Sequence, residues 1–235
     1  MATFVLVPGA WGGSWGWQWL APFLRDAGHR VHPITLSGLG ERVDLAHPGI
    51  DLDTHVTDVV TALEFADLRD VTLVGHSYAG MVIAGVADLV PERLAQVIYL
   101  DATVPENGQS FYDVWPEDRE ADLAASEEVD TPGFLPPPLG WIEEGVADEA
   151  VRTVMLERMT PHPLATFAQP IRLTNPDTAQ VPHAYIHCTI TDESERPFLA
   201  RVRADPAWRY REISFDHLAP VTAPRETAEA LFALV

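Results

Sequence analysis

Six short apolar runs, separated by longer stretches patterned as helices, constrain this chain more than any other feature. The runs are "TFVLVP" (3–8), "HRVHPITL" (29–36), "VTLVG" (71–75), "LAQVIYLD" (94–101), "AYIHCT" (184–189) and "RYREISF" (209–215). Between them lie helical patterns at 15–28, closed by Gly28, at 52–67 behind an Asp/Thr start, at 78–90, at 196–205, and at 223–234 with a proline near its start. Strand–helix alternation of this kind implies an α/β fold: a mainly parallel sheet of about six strands with helices on both faces. A length of 235 residues with 47% apolar side chains suits one domain, 1–235, with a sizeable core.

The alternation breaks between about 105 and 180. This stretch is rich in proline, including "LPPPLG" (135–140), and sets acidic blocks among Trp and Phe residues. It contains a helix pattern, "DEAVRTVMLERM" (148–159). It is too long and too apolar for a plain loop, so it reads as an inserted, mostly helical cap.

The net charge is −20, and all fifteen basic residues are arginine. Nucleic acid and anionic membranes both demand a basic footprint that is missing here. The one cysteine, Cys188, sits in an apolar run and reads as a small buried hydrophobe. The N-terminus lacks a basic n-region, and no run approaches the roughly 20 apolar residues of a membrane span. A cytoplasmic protein is the expectation, with a homodimer left open.

The chemistry centres on "VTLVGHSYAG" (71–80), where Ser77 falls between a predicted strand and a predicted helix. A tight strand–turn–helix exposes a nucleophilic serine at the top of a sheet and requires small neighbours, here Gly75, Ala79 and Gly80. The plain alternative is a helix-capping serine. A serine hydroxyl needs a base, and His217 follows the last predicted strand in "SFDHLAPV". His76, beside the serine, reads as structural, because an elbow points successive side chains in different directions. His162 in "PHPL" reads the same way. Acyl transfer also needs donors for the developing oxyanion. The backbone N–H groups of Tyr78 and of Ala10, in the Gly-rich loop "PGAWGGS" (8–14), are assigned to it.

Taken together, "FVLVPGAW", "LAPFLRDAGHRVHPITLSGLGER", "LDTHVTDVV", "LVGHSYAGMVI", "VIYLDATVPENGQS" and "TPHPLATFAQPIRLTNP" resemble the α/β-hydrolase superfamily. The nearer likeness is to the branch holding plant methyl-ester esterases, hydroxynitrile lyases and small bacterial esterases. The resemblance covers nearly the whole chain. It departs in two places. Pro8-Gly9 stands where the branch usually has His-Gly, which implies altered loop rigidity. The branch also places its acid just after the strand matching "AYIHCT", where a gapless count lands on Thr191, with Asp192 next. In other branches the acid ends the strand after the nucleophile helix, where this chain has Asp101. Preference goes to Asp101, held rigidly at a strand end, with Asp192 the rival. Asp216 is too near His217 in sequence to reach its far ring nitrogen.

The lyases of this branch carry a lysine after the catalytic histidine and a threonine in the oxyanion loop. This chain has Leu218 and Gly9 in those places and no lysine at all. The resemblance therefore implies a serine hydrolase cleaving a small apolar or aromatic carboxylic ester through an acyl-enzyme. Lyase or cyclase chemistry on the same fold, or ligand binding alone, are the alternatives. Trp11, Ser14, Trp15, Trp115, Phe134, Leu135, Trp141, Phe167 and Leu218 are the expected pocket residues. Neither an HExxH motif nor a dinucleotide fingerprint is present, so no metal or cofactor is implied.

Overall fold

The computed structural model describes residues 1–127, 131–190 and 196–235. Strands β1 (Thr3–Val7), β2 (Arg30–Pro33), β3 (Val71–His76) and β4 (Leu94–Leu100) alternate with helices α1 (Ala21–Asp26), α2 (Leu52–Phe65) and α3 (Ala79–Leu89). Next come α4 (Phe111–Val114), α5 (Asp118–Glu127), the short strand β5 (Phe134–Leu135), α6 (Leu139–Gly145), α7 (Glu149–Arg158), the short strand β6 (His162–Pro163) and α8 (Ala165–Ala168). Then β7 (His183–Cys188), α9 (Leu199–Ala204), β8 (Trp208–Ile213), α10 (Ala219–Thr222) and α11 (Pro224–Phe232) close the chain. Six strands form one parallel sheet in the order β2-β1-β3-β4-β7-β8. Because β4 pairs directly with β7, everything between them is an excursion from the sheet. Within the excursion β5 and β6 pair antiparallel as a small ribbon.

Residue parity sorts the core, as a period of two requires. Val5, Val7, Leu73, Val97, Tyr99 and Tyr185 face one side, where α2 and α3 pack. Phe4, Leu6, Val74, Ile98, Ala184 and Ile186 face the other, against Trp17, Leu20, Leu24, Ala228 and Leu231. Each such fully buried aliphatic side chain contributes about 1.5–3 kcal/mol. Helix α2 starts on a reciprocal cap between Asp51 and Thr54. It lies close on α3 because Gly85 has no side chain; a Cβ there would stand 2.7 Å from Val56.

The first helical pattern is divided near a proline. The pattern at 15–28 resolves into a 3₁₀ turn, Ser14–Trp17, and α1, which begins where Pro22 tolerates a start. The pattern at 223–234 holds as α11, which starts on Pro224 behind the separate turn of α10. Among the described residues no helix is long and apolar enough to cross a membrane.

Candidate active site

Ser77 joins β3 to α3 with a φ of +57°, a left-handed conformation that non-glycine residues rarely adopt. Its carbonyl accepts the N–H groups of Gly80 and Thr103, both at 3.1 Å. The elbow is close to other backbone at two points. A Cβ on Gly75 would meet Ala79 O at 2.9 Å, and one on Gly80 would lie 1.9 Å from Thr103 O. The tightest approach therefore falls at Gly80, while Ala79 is fully buried in the core with its methyl accommodated.

Asp101 caps β4, also left-handed at φ +48°, with its N–H donating to Ile186 O at 2.7 Å. Its carboxylate is buried, and both oxygens are engaged. Oδ1 accepts the Cys188 N–H at 2.9 Å; Oδ2 accepts His217 Nδ1–H at 2.6 Å and Arg196 Nη2–H at 2.8 Å. Burial pushes this carboxyl's pKa up, but the hydrogen bond and charge of His217, the Arg196 guanidinium and the Cys188 N–H together hold it below its ordinary value. Because Nδ1–H of His217 is committed to a carboxylate, Nε2 keeps its lone pair. The other site-facing histidine is anchored differently: His76 Nε2–H donates to the His217 carbonyl at 2.7 Å. Burial first, then the neighbouring His217, lowers His76 to about 3, so it stays neutral and fixes the loop. Asp216 turns away, accepting the Leu218 N–H at 2.8 Å and the Thr222 hydroxyl. Asp192 lies outside the described residues.

Ser77 and His217 open on one cleft, together with Gly9, Ala10, Trp11 and His76. Trp15, Trp141 and Leu218, expected as pocket residues, line it with Trp11. The other expected pocket residues are placed elsewhere. Ser14 is tied to Thr35 and Glu41 by hydrogen bonds. Trp115 donates its indole N–H to Thr103 Oγ1 at 3.0 Å and packs on Phe198. Phe134 and Leu135 are buried in β5, and Phe167 is buried against Phe111, 4.3 Å between ring centres. In their place stand Trp17, Pro138, Met155, Met159, Pro220 and Val221. Met155 lies in the last turn of α7 and Met159 caps its C-terminal end, a four-residue spacing visible in "VMLERM". Arg196 carries no comparable signal among fifteen arginines.

Ala10 also lines the cleft, after Gly9, whose Cβ would lie 3.0 Å from Ser77 Cβ. Among the described residues, the N–H groups of Ala10 and Tyr78 donate to no protein acceptor. Two amides beside a left-handed serine, with a carboxylate-paired imidazole in the same cleft, can carry nucleophilic acyl transfer. Among the described residues no group of three or more His, Cys, Asp or Glu side chains is placed to hold a metal ion.

Comparison with known proteins identifies the family and its fold. The profile of the alpha/beta hydrolase family matches residues 4–230. A carbendazim hydrolyzing esterase of Nocardioides sp. (strain SG-4G) is 37% identical, with all of both chains covered. Polyneuridine aldehyde esterase of Rauvolfia serpentina is 26% identical over 97% of this chain and 93% of its own. An extracellular alpha/beta-hydrolase from a Paenibacillus species superposes with a TM-score of 0.85 at 24% identity, covering 99% of this chain and 98% of the other, which shows the shared fold.

Proposed function

Because the chain belongs to the alpha/beta hydrolase family, we propose that it is a carboxylic ester hydrolase whose nucleophile is Ser77. One observation carries the assignment of roles: the 2.6 Å pair of His217 Nδ1 and Asp101 Oδ2, placed at the cleft that Ser77 enters. In this reading His217 Nε2 takes the hydroxyl proton as Ser77 Oγ attacks the ester carbonyl. The N–H groups of Ala10 and Tyr78 receive the oxyanion. Collapse expels the alcohol, which takes its proton from His217, and leaves an acyl-Ser77. Water, deprotonated by the same nitrogen, then releases the acid and restores the serine. Asp101 keeps the imidazole in the useful tautomer and offsets its charge when protonated.

The substrate is a small-molecule ester with an apolar or aromatic body, as the Trp, Met and Pro walls of the cleft favour. The excursion acts as the cap over that substrate. Leu218 beside His217 and the absence of lysine favour hydrolysis over lyase chemistry. A panel of methyl and aryl esters, with carbendazim included on the strength of the Nocardioides relative's name, tests the reading. Ser77→Ala is expected to abolish turnover without loss of fold. Turnover that survives this change, or no ester cleaved by the wild type, would sink it.

A further inference from the structure

The loop bearing Ala10 is held in an unfavourable shape from outside itself. Trp11 has a φ of +60°, where an L side chain crowds its own backbone. Three hydrogen bonds from the excursion meet this one residue. Its N–H donates to His162 Nδ1 at 3.4 Å, its carbonyl accepts the Thr160 N–H at 3.1 Å, and its indole N–H donates to Leu135 O at 3.2 Å. The first contact requires one particular tautomer. His162 Nε2 lies 2.7 Å from Thr166 Oγ1, whose own hydrogen goes to Pro163 O at 2.8 Å. The hydroxyl can then only accept from the ring, so Nε2 carries the hydrogen and Nδ1 presents a lone pair to Trp11. The ring is fully buried, and that burial, with His55 nearby, keeps it neutral.

The same imidazole also touches the other donor residue. It packs edge-on against the Tyr78 ring, 4.8 Å between centres at 76°. From the far side, Tyr78 OH donates to His55 Nδ1 at 3.0 Å, and His55 Nε2–H donates to Ser37 O at 3.0 Å. His162 is absent from the cleft wall, so it has no direct route to a substrate.

We infer that His162 is a positioning residue for the oxyanion hole, fixing the Ala10 amide through Trp11 and the Tyr78 amide through the tyrosine ring. The inference rests on the ester-hydrolase reading above. Its physical content is that donors placed in advance act only on the charge that develops in the transition state. Displacing them therefore lowers kcat and leaves KM nearly alone.

The test measures kcat, KM and the affinity of a trifluoromethyl ketone, which mimics the tetrahedral oxyanion, for the wild type, His162→Phe, His162→Asn and Thr166→Val. Phenylalanine keeps the ring volume and removes the acceptor; kcat should fall about 10–100-fold with KM within about twofold, and ketone affinity should fall in step. Asparagine restores an acceptor near the Nδ1 position and should recover most of that loss. Thr166→Val leaves the ring in place but frees its tautomer, and should show the same pattern at about 10-fold or less. It keeps the test decisive if the phenylalanine variant folds poorly. Variants that lose thermal stability but keep wild-type kcat and ketone affinity per folded molecule would overturn the inference, leaving only a structural role. A wild type without Ser77-dependent turnover would instead overturn the reading beneath it.

Discussion

The two walls of the cleft are held in different ways. One wall is stapled: Ser77, Asp101 and the Ala10 loop sit on sheet ends and are tied by backbone hydrogen bonds, by the Arg196–Asp101–His217 contacts and by the His162–Trp11 link. The other wall is the α6–α7 hairpin. It meets the body through apolar side chains, Ile142, Val146, Val151 and Met155 against Trp15 and Val221. Among the described residues no hydrogen bond joins 139–158 to the sheet or its loops. The difference separates two tasks. Chemistry needs donors and proton carriers held to within a fraction of an ångström, which hydrogen bonds supply. Substrate fit needs only volume and apolar surface, and thioethers adapt to either.

The sharpest break in this comparison is Asp101→Asn. The amide still reaches His217 but no longer fixes its tautomer or balances its charge. A fall in kcat of about 10⁴-fold is expected, with KM little moved. Steady-state kinetics beside a thermal melt would show whether the loss is chemical rather than structural.

Acid should attack the stapled wall next. Burial lowers His55 from 6.5 to about 4, against the pull of the Ser37 carbonyl, and His76 to about 3. Above pH 6.5 such a ring is neutral in both folded and unfolded chains and has no effect on stability. Below 6.5 the unfolded chain binds a proton that the folded one refuses. Stability therefore falls by about 1.4 kcal/mol per pH unit for each ring, until the folded value is reached. Urea midpoints measured from pH 7 to pH 4 should trace this loss, and His55→Gln should flatten the slope. An unchanged slope would remove His55 from the account.

Gly80→Ala sharpens the comparison on the sheet side. With Thr103 O only 1.9 Å from the new carbon, α3 or the strand end must shift. A loss of about 1–3 kcal/mol is expected in chemical denaturation. The smallest catalytic effect should come from the hairpin. Met155→Ala opens the apolar wall without touching a donor; KM and the ranking of ester acyl groups should change up to about 10-fold, with kcat nearly constant. A large kcat effect there would erase the distinction between the walls.

Legibility from sequence follows the same divide. Ser77 and His217 could be proposed from sequence because a strand–turn–helix is a local pattern and the order of serine and histidine is read directly along the chain; the structure brings both to one cleft. The parallel sheet came from short apolar runs alternating with helical patterns, which survive any detail of packing. The choice between Asp101 and Asp192 was harder, since which strand end meets the His217 loop is a long-range relation; the structure pairs Asp101 with His217, and Asp192 lies outside the described residues. Arg196 was invisible for the same reason: it lies 95 residues from its carboxylate. The aromatic residues of the excursion show another limit. Phe134, Phe167 and Trp115 look the same in sequence as Trp141, yet the first three are core or near-core packing and Trp141 is 47% exposed at the cleft. Apolar character says that a side chain prefers to leave water, not which surface will take it. Ser14 was expected in the pocket, but it is part of a polar cluster with Glu41.

The central claim, a covalent acyl-enzyme on Ser77, is open to one direct measurement. Wild-type protein mixed with an excess of an aryl ester, quenched with acid within milliseconds and digested, can be mapped by mass spectrometry. The account predicts the acyl mass on the peptide containing Ser77, formed with a burst of phenol and lost as turnover proceeds. Steady turnover with no adduct on that peptide, or an adduct on another residue, would contradict it.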